Sequence, residues 1–261
     1  MANVISRRWL HLLWQAAFVS TSLCALALPM RATADSLTVA VAANFAPTLR
    51  LLAERFELDG KHQVRVVTGS SGLLAAQIGH GAPYDQFYSA DASKPQALID
   101  AGLAQTSERY TYAIGRLVLW SAQAHRVDAQ GRVLQTDFRY LALANPRLAP
   151  YGQAALDVLS ARQLVAATRT RWVMGENIAQ TYQFVATGNA DLGFIALAQW
   201  QAEAKTGSSW LVPSALHRPI VQDALLLRAT PASRAFWQFM REPWAREQIR
   251  RAGYDVPELS P

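Results

Sequence analysis

The chain predicts an α/β fold, because short apolar, β-rich runs alternate with amphipathic helical segments along most of its 261 residues. Several of the junctions where a run gives way to a helix also carry Gly, Ser or Asn. Alternation of this kind argues for parallel strands covered by helices on both faces. Ligands on such sheets bind where strands end and helices begin.

Residues 1–34 are read apart from the rest. Arg7 and Arg8 precede an apolar run at 9–28, and Ala32-Thr33-Ala34 has the small-x-small pattern of a signal-peptidase site. The expectation is therefore export, with cleavage after Ala34. His11, Gln15, Ser20, Thr21 and Ser22 interrupt the run and argue against a retained anchor. Ser6-Arg7-Arg8-Trp9-Leu10 resembles a twin-arginine signal, so the export route stays open. The only cysteine, Cys24, lies in this segment and follows Leu23 rather than the small residue of a lipoprotein site. A chain starting at Asp35 has no thiol and relies on its core in an oxidising compartment, which its length permits. Losing residues 1–34 removes three arginines and no acid, so the formal charge falls from +6 to +3. With Lys and Arg scattered, that excess is no nucleic-acid footprint.

From Leu37 the predicted strands fall at 37–41, 64–68, 84–88, 117–120, 141–144, 172–174, 192–195 and 221–227. Helical patterns lie near 48–56, 73–80, 95–101, 154–159, 179–185 and 197–204. The segment 231–253 is helical again, with Phe236, Phe239, Met240, Trp244 and Ile249 supplying its apolar face. Long apolar strands near 114–120 and 219–227 are the places where a chain would pass between two lobes. One continuous sheet fits the periodicity equally well.

Four junctions share a pattern. The run 64–68 breaks into Gly69-Ser70-Ser71-Gly72 before a helix. The first strand ends in Ala42-Ala43-Asn44-Phe45, with Pro47 at a helix-opening position. The run 141–144 leads through Asn145-Pro146 to Pro150-Tyr151-Gly152, with a helix expected from Gln153 or Ala154, and 172–174 leads into Gly175-Glu176-Asn177-Ile178. Each has an ordinary reading: Asn44 and Ser70 as helix caps, the third junction as a loop stiffened by prolines. Together, if they converge, they form an anion site of neutral donors, since the first N–H groups of a helix lack internal partners and carry partial positive charge.

Taken in order, Ala42-Ala43-Asn44-Phe45, Gly69-Ser70-Ser71-Gly72, Gly81-Ala82-Pro83-Tyr84-Asp85, Ser89-Ala90-Asp91, Asn145-Pro146, Pro150-Tyr151-Gly152, Ala190-Asp191-Leu192-Gly193-Phe194 and Ala252-Gly253-Tyr254 resemble the periplasmic molybdate-binding proteins over nearly all of the chain after residue 34. That resemblance implies a two-lobed type II periplasmic binding protein, each lobe a sheet flanked by helices with the ligand cleft between them. It implies lobe 1 from 35–115 and 222–261 and lobe 2 from 116–221. It further implies no catalysis and no cofactor. The ligand would be molybdate or tungstate, passed to the membrane permease of an ABC importer by a monomeric receptor. Carried over by position, the oxyanion ligands are Asn44 with the N–H of Ala43 or Asn44, Ser71 through its hydroxyl and N–H, Tyr151, and the N–H of Ile178. One branch of the family has Ser-Leu in the first turn and a ligand tyrosine after the Leu-Gly-aromatic strand; here those positions hold Asn44-Phe45 and Ala196, as in the other branch. Ala43 lacks a hydroxyl that a relative can carry there.

Other classes find less support. Leu73 stands where a G-x-S-x-G elbow needs its last glycine. His62, His80, His125 and His217 are scattered, and no Walker or Gly-x-Gly-x-x-Gly pattern occurs. A receptor for sulfate or a small organic acid is the alternative. A carboxylate would recruit an arginine fork, for which Arg147 is the candidate.

Overall fold

The structure, a computed structural model, describes residues 35–203 and 206–258; the expected signal segment, its cleavage after Ala34 and Cys24 lie outside them. Strands β1 (Asp35–Ala42), β2 (His62–Gly69), β3 (Gln86–Tyr88), β4 (Arg109–Gly115), β5 (Leu117–Ser121), β6 (Leu141–Ala144), β7 (Trp172–Gly175), β8 (Leu192–Ala196), β9 (Ser208–Leu211) and β10 (Ile220–Leu226) make two five-stranded sheets. Their orders are β2-β1-β3-β10-β4 and β7-β6-β8-β5-β9. The backbone leaves the first sheet at Arg116, between β4 and β5, and returns between β9 and β10. The stretch expected near 114–120 as one long strand is thus two strands in different sheets.

The expected all-parallel arrangement is corrected. β1 runs parallel to β2 and β3, and β6 parallel to β7 and β8, but β10 is antiparallel to β3 and β4, and β5 antiparallel to β8 and β9. A strand that arrives from the other lobe has made no crossover through a helix of its own sheet, so nothing obliges it to run parallel.

Helices α1 (Ala46–Glu57), α2 (Ser71–Gly79), α3 (Ser93–Asp100), α4 (Pro150–Ala161), α5 (Val165–Thr168), α6 (Ile178–Ala186), α7 (Leu197–Glu203), α8 (Pro231–Phe239) and α9 (Pro243–Arg251) cover the sheets. Alternation along β1 sends Val39 and Val41 to a core with Leu49, Leu52, Phe236 and Ile249, and Ala40 to the opposite core with Leu74, Ile78 and Leu98. In β5, Leu117 and Leu119 pack with Val158 and Leu159, while Val118 and Trp120 pack with Val185. Both faces of both sheets are therefore covered, which is what near-continuous apolar strands require.

Helix α4 starts at Pro150, before the expected start at Gln153 or Ala154, because proline suits the first helical turn. Tyr151 consequently sits in a helix, not a loop. The close fit of α4 on β6 depends on Gly152, where a Cβ would lie 2.0 Å from the Ala144 carbonyl oxygen.

Candidate functional site

Four helix starts converge, two from each lobe: α1 after β1, α2 after β2, α4 after β6 and α6 after β7. The two lobes build their halves alike. The Ala43 N–H donates to the Gly69 carbonyl at 2.9 Å, and the corresponding Asn145 N–H donates to that of Gly175 at 2.7 Å, each tying the end of one parallel strand to its neighbour. Ala43, Asn44, Ser71, Tyr151 and Ile178 all line one small pocket, together with Gly69, Ser70, Ala90, Ala149, Pro150 and Asn177. None of these side chains is charged. Its cavity volume, about 10 Å³, is far below the ~300–1,000 Å³ typical of sites for drug-sized molecules.

The polar groups around it are arranged to donate. Ser70 caps α2, its Oγ accepting from the Leu73 N–H, and Asn177 caps α6, accepting from Ala179 and Gln180. The Gly72 N–H crosses to the Leu148 carbonyl of the other lobe at 2.9 Å. The N–H groups of Asn44, Ser71, Tyr151 and Ile178, one at each helix start, are left without an acceptor among the described residues. Ser71 Oγ accepts from the Ala90 N–H at 2.9 Å, so its hydroxyl proton is available to the pocket. Tyr151, 1 % exposed, accepts at its phenol oxygen from Gln222 Nε2 at 3.3 Å. Burial pushes the phenols of Tyr112, Tyr151 and Tyr254 above their ordinary range, so each stays protonated at neutral pH.

The first turn departs in detail from the sequence reading. Of its two candidate N–H groups, that of Ala43 is spent on Gly69, which leaves the one on Asn44. Asn44 is not the cap of α1; Phe45 holds that position, wedged against Tyr112 with ring centroids 4.6 Å apart. The Asn44 side chain is itself engaged, its Nδ2 donating to Gln222 Oε1 at 2.8 Å and to the Tyr254 hydroxyl at 3.2 Å. Its carboxamide braces the turn whose N–H faces the pocket.

Gln222 and Tyr112 were not singled out in the sequence, although each belongs to the layer behind the pocket, and Ser89 stood there only within the motif Ser89-Ala90-Asp91. Gln222 had a signal, being a carboxamide inside an apolar strand. Tyr112, whose hydroxyl donates to the Ser89 carbonyl at 3.1 Å, had none. Arg147 is exposed and does not line the pocket. Among the described residues no histidine or carboxylate lines it either, so none of them stands there as a general base for Ser71.

A neutral, donor-lined pocket between two α/β lobes suits a small anionic solute. The family model for bacterial extracellular solute-binding proteins matches residues 37–255. This chain belongs to that family. As a solute-binding protein it carries out no catalysis, and the family places it outside the cytoplasm. Over 231 residues, 86 % of this solute-binding protein and 92 % of its relative, it is 44 % identical to the molybdate-binding protein ModA of Azotobacter vinelandii. Its identity to the ModA of Rhodobacter capsulatus is 43 %, over 88 % of this chain and 91 % of that one. The solved structure of the Azotobacter vinelandii periplasmic molybdate-binding protein superposes with a TM-score of 0.81, covering 85 % of this chain and all of that one. Its fold is therefore the two-lobed periplasmic binding fold.

Proposed function

We propose that the protein captures molybdate, and tungstate with it, in the interlobe pocket and delivers the oxyanion to the membrane permease of an ABC importer. The observation that carries this reading is the convergence of four free N–H groups and two hydroxyl donors on a pocket without a charged side chain. The ModA relatives, named for binding molybdate, support the choice of anion. Asn44 and Ile178 act through main-chain N–H groups, Ser71 through N–H and hydroxyl, and Tyr151 through its phenol; Ala43 forms the wall beside Asn44. Hydrogen bonds to a charged group are each worth about 1.5–3 kcal/mol, and micromolar affinity needs only about 8 kcal/mol net.

Donors alone leave a ligand proton no partner, so hydrogen phosphate meets donor against donor. Sulfate is fully ionised but has shorter bonds, and cannot reach every donor of a preformed pocket at good geometry. Molybdate and tungstate, nearly equal in size, satisfy the same donors. An organic acid lacks its arginine fork, since Arg147 stands outside. The monomeric receptor, exported and cleaved after Ala34 into the periplasm, closes lobe 1 (35–115 and 222–261) on lobe 2 (116–221) by bending at the two crossings.

Calorimetric titration of the purified exported protein with molybdate, tungstate, sulfate and phosphate tests this. One-to-one binding of the first two at micromolar affinity or tighter, with sulfate and phosphate far weaker, is expected. Silence toward both metal oxyanions overturns the reading.

A further inference from the structure

Gln222 is fully buried in β10, and its carboxamide joins the two lobes behind the pocket. Every polar atom of a buried carboxamide needs a partner. Here the partners fix the direction of each proton, beginning from a main-chain carbonyl. The Asn44 C=O can only accept, so the Tyr254 hydroxyl 2.8 Å away donates to it. That leaves the Tyr254 oxygen to accept from Asn44, which turns Nδ2 toward it at 3.2 Å. The same Nδ2 donates to Gln222 Oε1 at 2.8 Å, and the Tyr112 hydroxyl lies 2.9 Å from that oxygen. With Oε1 held on this side, Nε2 faces Tyr151 at 3.3 Å. An amide nitrogen can only donate, so the Tyr151 oxygen accepts and its own proton is turned away from Gln222.

Two further features serve this contact. Gly115, the last residue of β4, has no left-handed backbone to explain it, yet a Cβ there would lie 2.2 Å from the Tyr151 hydroxyl and 2.5 Å from Gln222 Nε2. The β4–β10 ladder also shifts register between Gln222 and Asp223, leaving Tyr112 as an extra residue opposite them. Bulges of this kind re-aim side chains beside functional sites.

We propose that Gln222 is a positioning residue for anion binding: by donating to Tyr151 across the lobe boundary it commits the phenol proton to the pocket, making Tyr151 a donor and never an acceptor toward the ligand. This deepens the receptor reading and rests on it. Without Gln222 the phenol loses this donor, and the ligand must do more to orient the proton.

The test is a pair of double-mutant cycles on the exported full chain, read by molybdate titration, with thermal melts to confirm folding. Gln222→Glu replaces the donor by an acceptor that draws the Tyr151 proton out of the pocket; it is expected to weaken binding about 10- to 100-fold. Gln222→Met, neutral and of similar length, is expected to weaken it about 3- to 10-fold, and keeps the test alive if the buried carboxylate prevents folding. In a Tyr151→Phe background there is no phenol proton left to direct, so either substitution should cost several-fold less; any charge repulsion by Glu acts in both backgrounds and cancels. Losses that are equal with and without the phenol, within about twofold, overturn the role of Gln222, because a purely structural residue would not depend on residue 151. Wild-type protein silent toward molybdate overturns the receptor reading, and this one with it; wild type that binds, with additive losses, overturns this one alone.

Discussion

The hydroxyls of Ser71 and Tyr151 are alike in one respect: each oxygen already accepts a protein N–H, from Ala90 and from Gln222, so each has a proton to give. Ser71→Ala removes one donor to the anion and also strands the buried Ala90 N–H. Molybdate affinity measured by calorimetry should fall roughly 10- to 100-fold. Tyr151→Phe removes the other and should cost a similar factor, with the fold retained. An unchanged affinity in both would remove these residues from the site. Arg147→Ala, by contrast, should leave affinity within about twofold, since an exposed side chain outside the pocket contributes little. Tyr151 and Ser71 were legible in the sequence as small motifs before helices. Asn44 was legible as a position, but its side-chain task was not, because that depends on Tyr254, 210 residues away.

At the scale of elements, strands and helices followed from periodicity, and most boundaries moved by a few residues only. The segment 141–144 matched its strand, whereas α4 gained a turn at its start that placed Tyr151 over the pocket. All of β9 and all but the end of β4 escaped the sequence pattern, the latter because Arg109, Thr111 and the bulged Tyr112 break its alternation. Contact between elements adds a constraint that no propensity shows. Gly152→Ala should destabilise the protein by roughly 1–3 kcal/mol in chemical denaturation, because its Cβ meets the rigid main chain of β6 and not a movable side chain.

For the whole molecule, two linkages follow. A ligand that binds only the closed, folded state stabilises it by about 2.7 kcal/mol at 100 times its dissociation constant, so molybdate should raise Tm by roughly 5–10 °C in a domain of this size. Sulfate at the same concentration should give a much smaller shift. The second linkage concerns alkali. Burial raises the phenols of Tyr88, Tyr110, Tyr112, Tyr151 and Tyr254 above their value in the unfolded chain. Such groups contribute stability that is complete below the unfolded value near pH 10 and is lost as pH rises toward the folded one. Stability should therefore be flat in these groups at neutral pH and fall steeply above about pH 10, with the tyrosinate absorbance of these five appearing only as the protein unfolds. Ionisation of all eight tyrosines without unfolding would contradict the burial of these five.

By itself the sequence determined the alternation of strands and helices and the four junctions that open helices, because these depend on residues close along the chain. Only the tertiary structure decided that two crossing strands run antiparallel, that the Ala43 N–H is spent, and that Gln222 and Tyr254 stand behind the pocket. Those are matters of which distant groups meet, and a hydrogen-bond donor shows its direction only once its acceptor is in place.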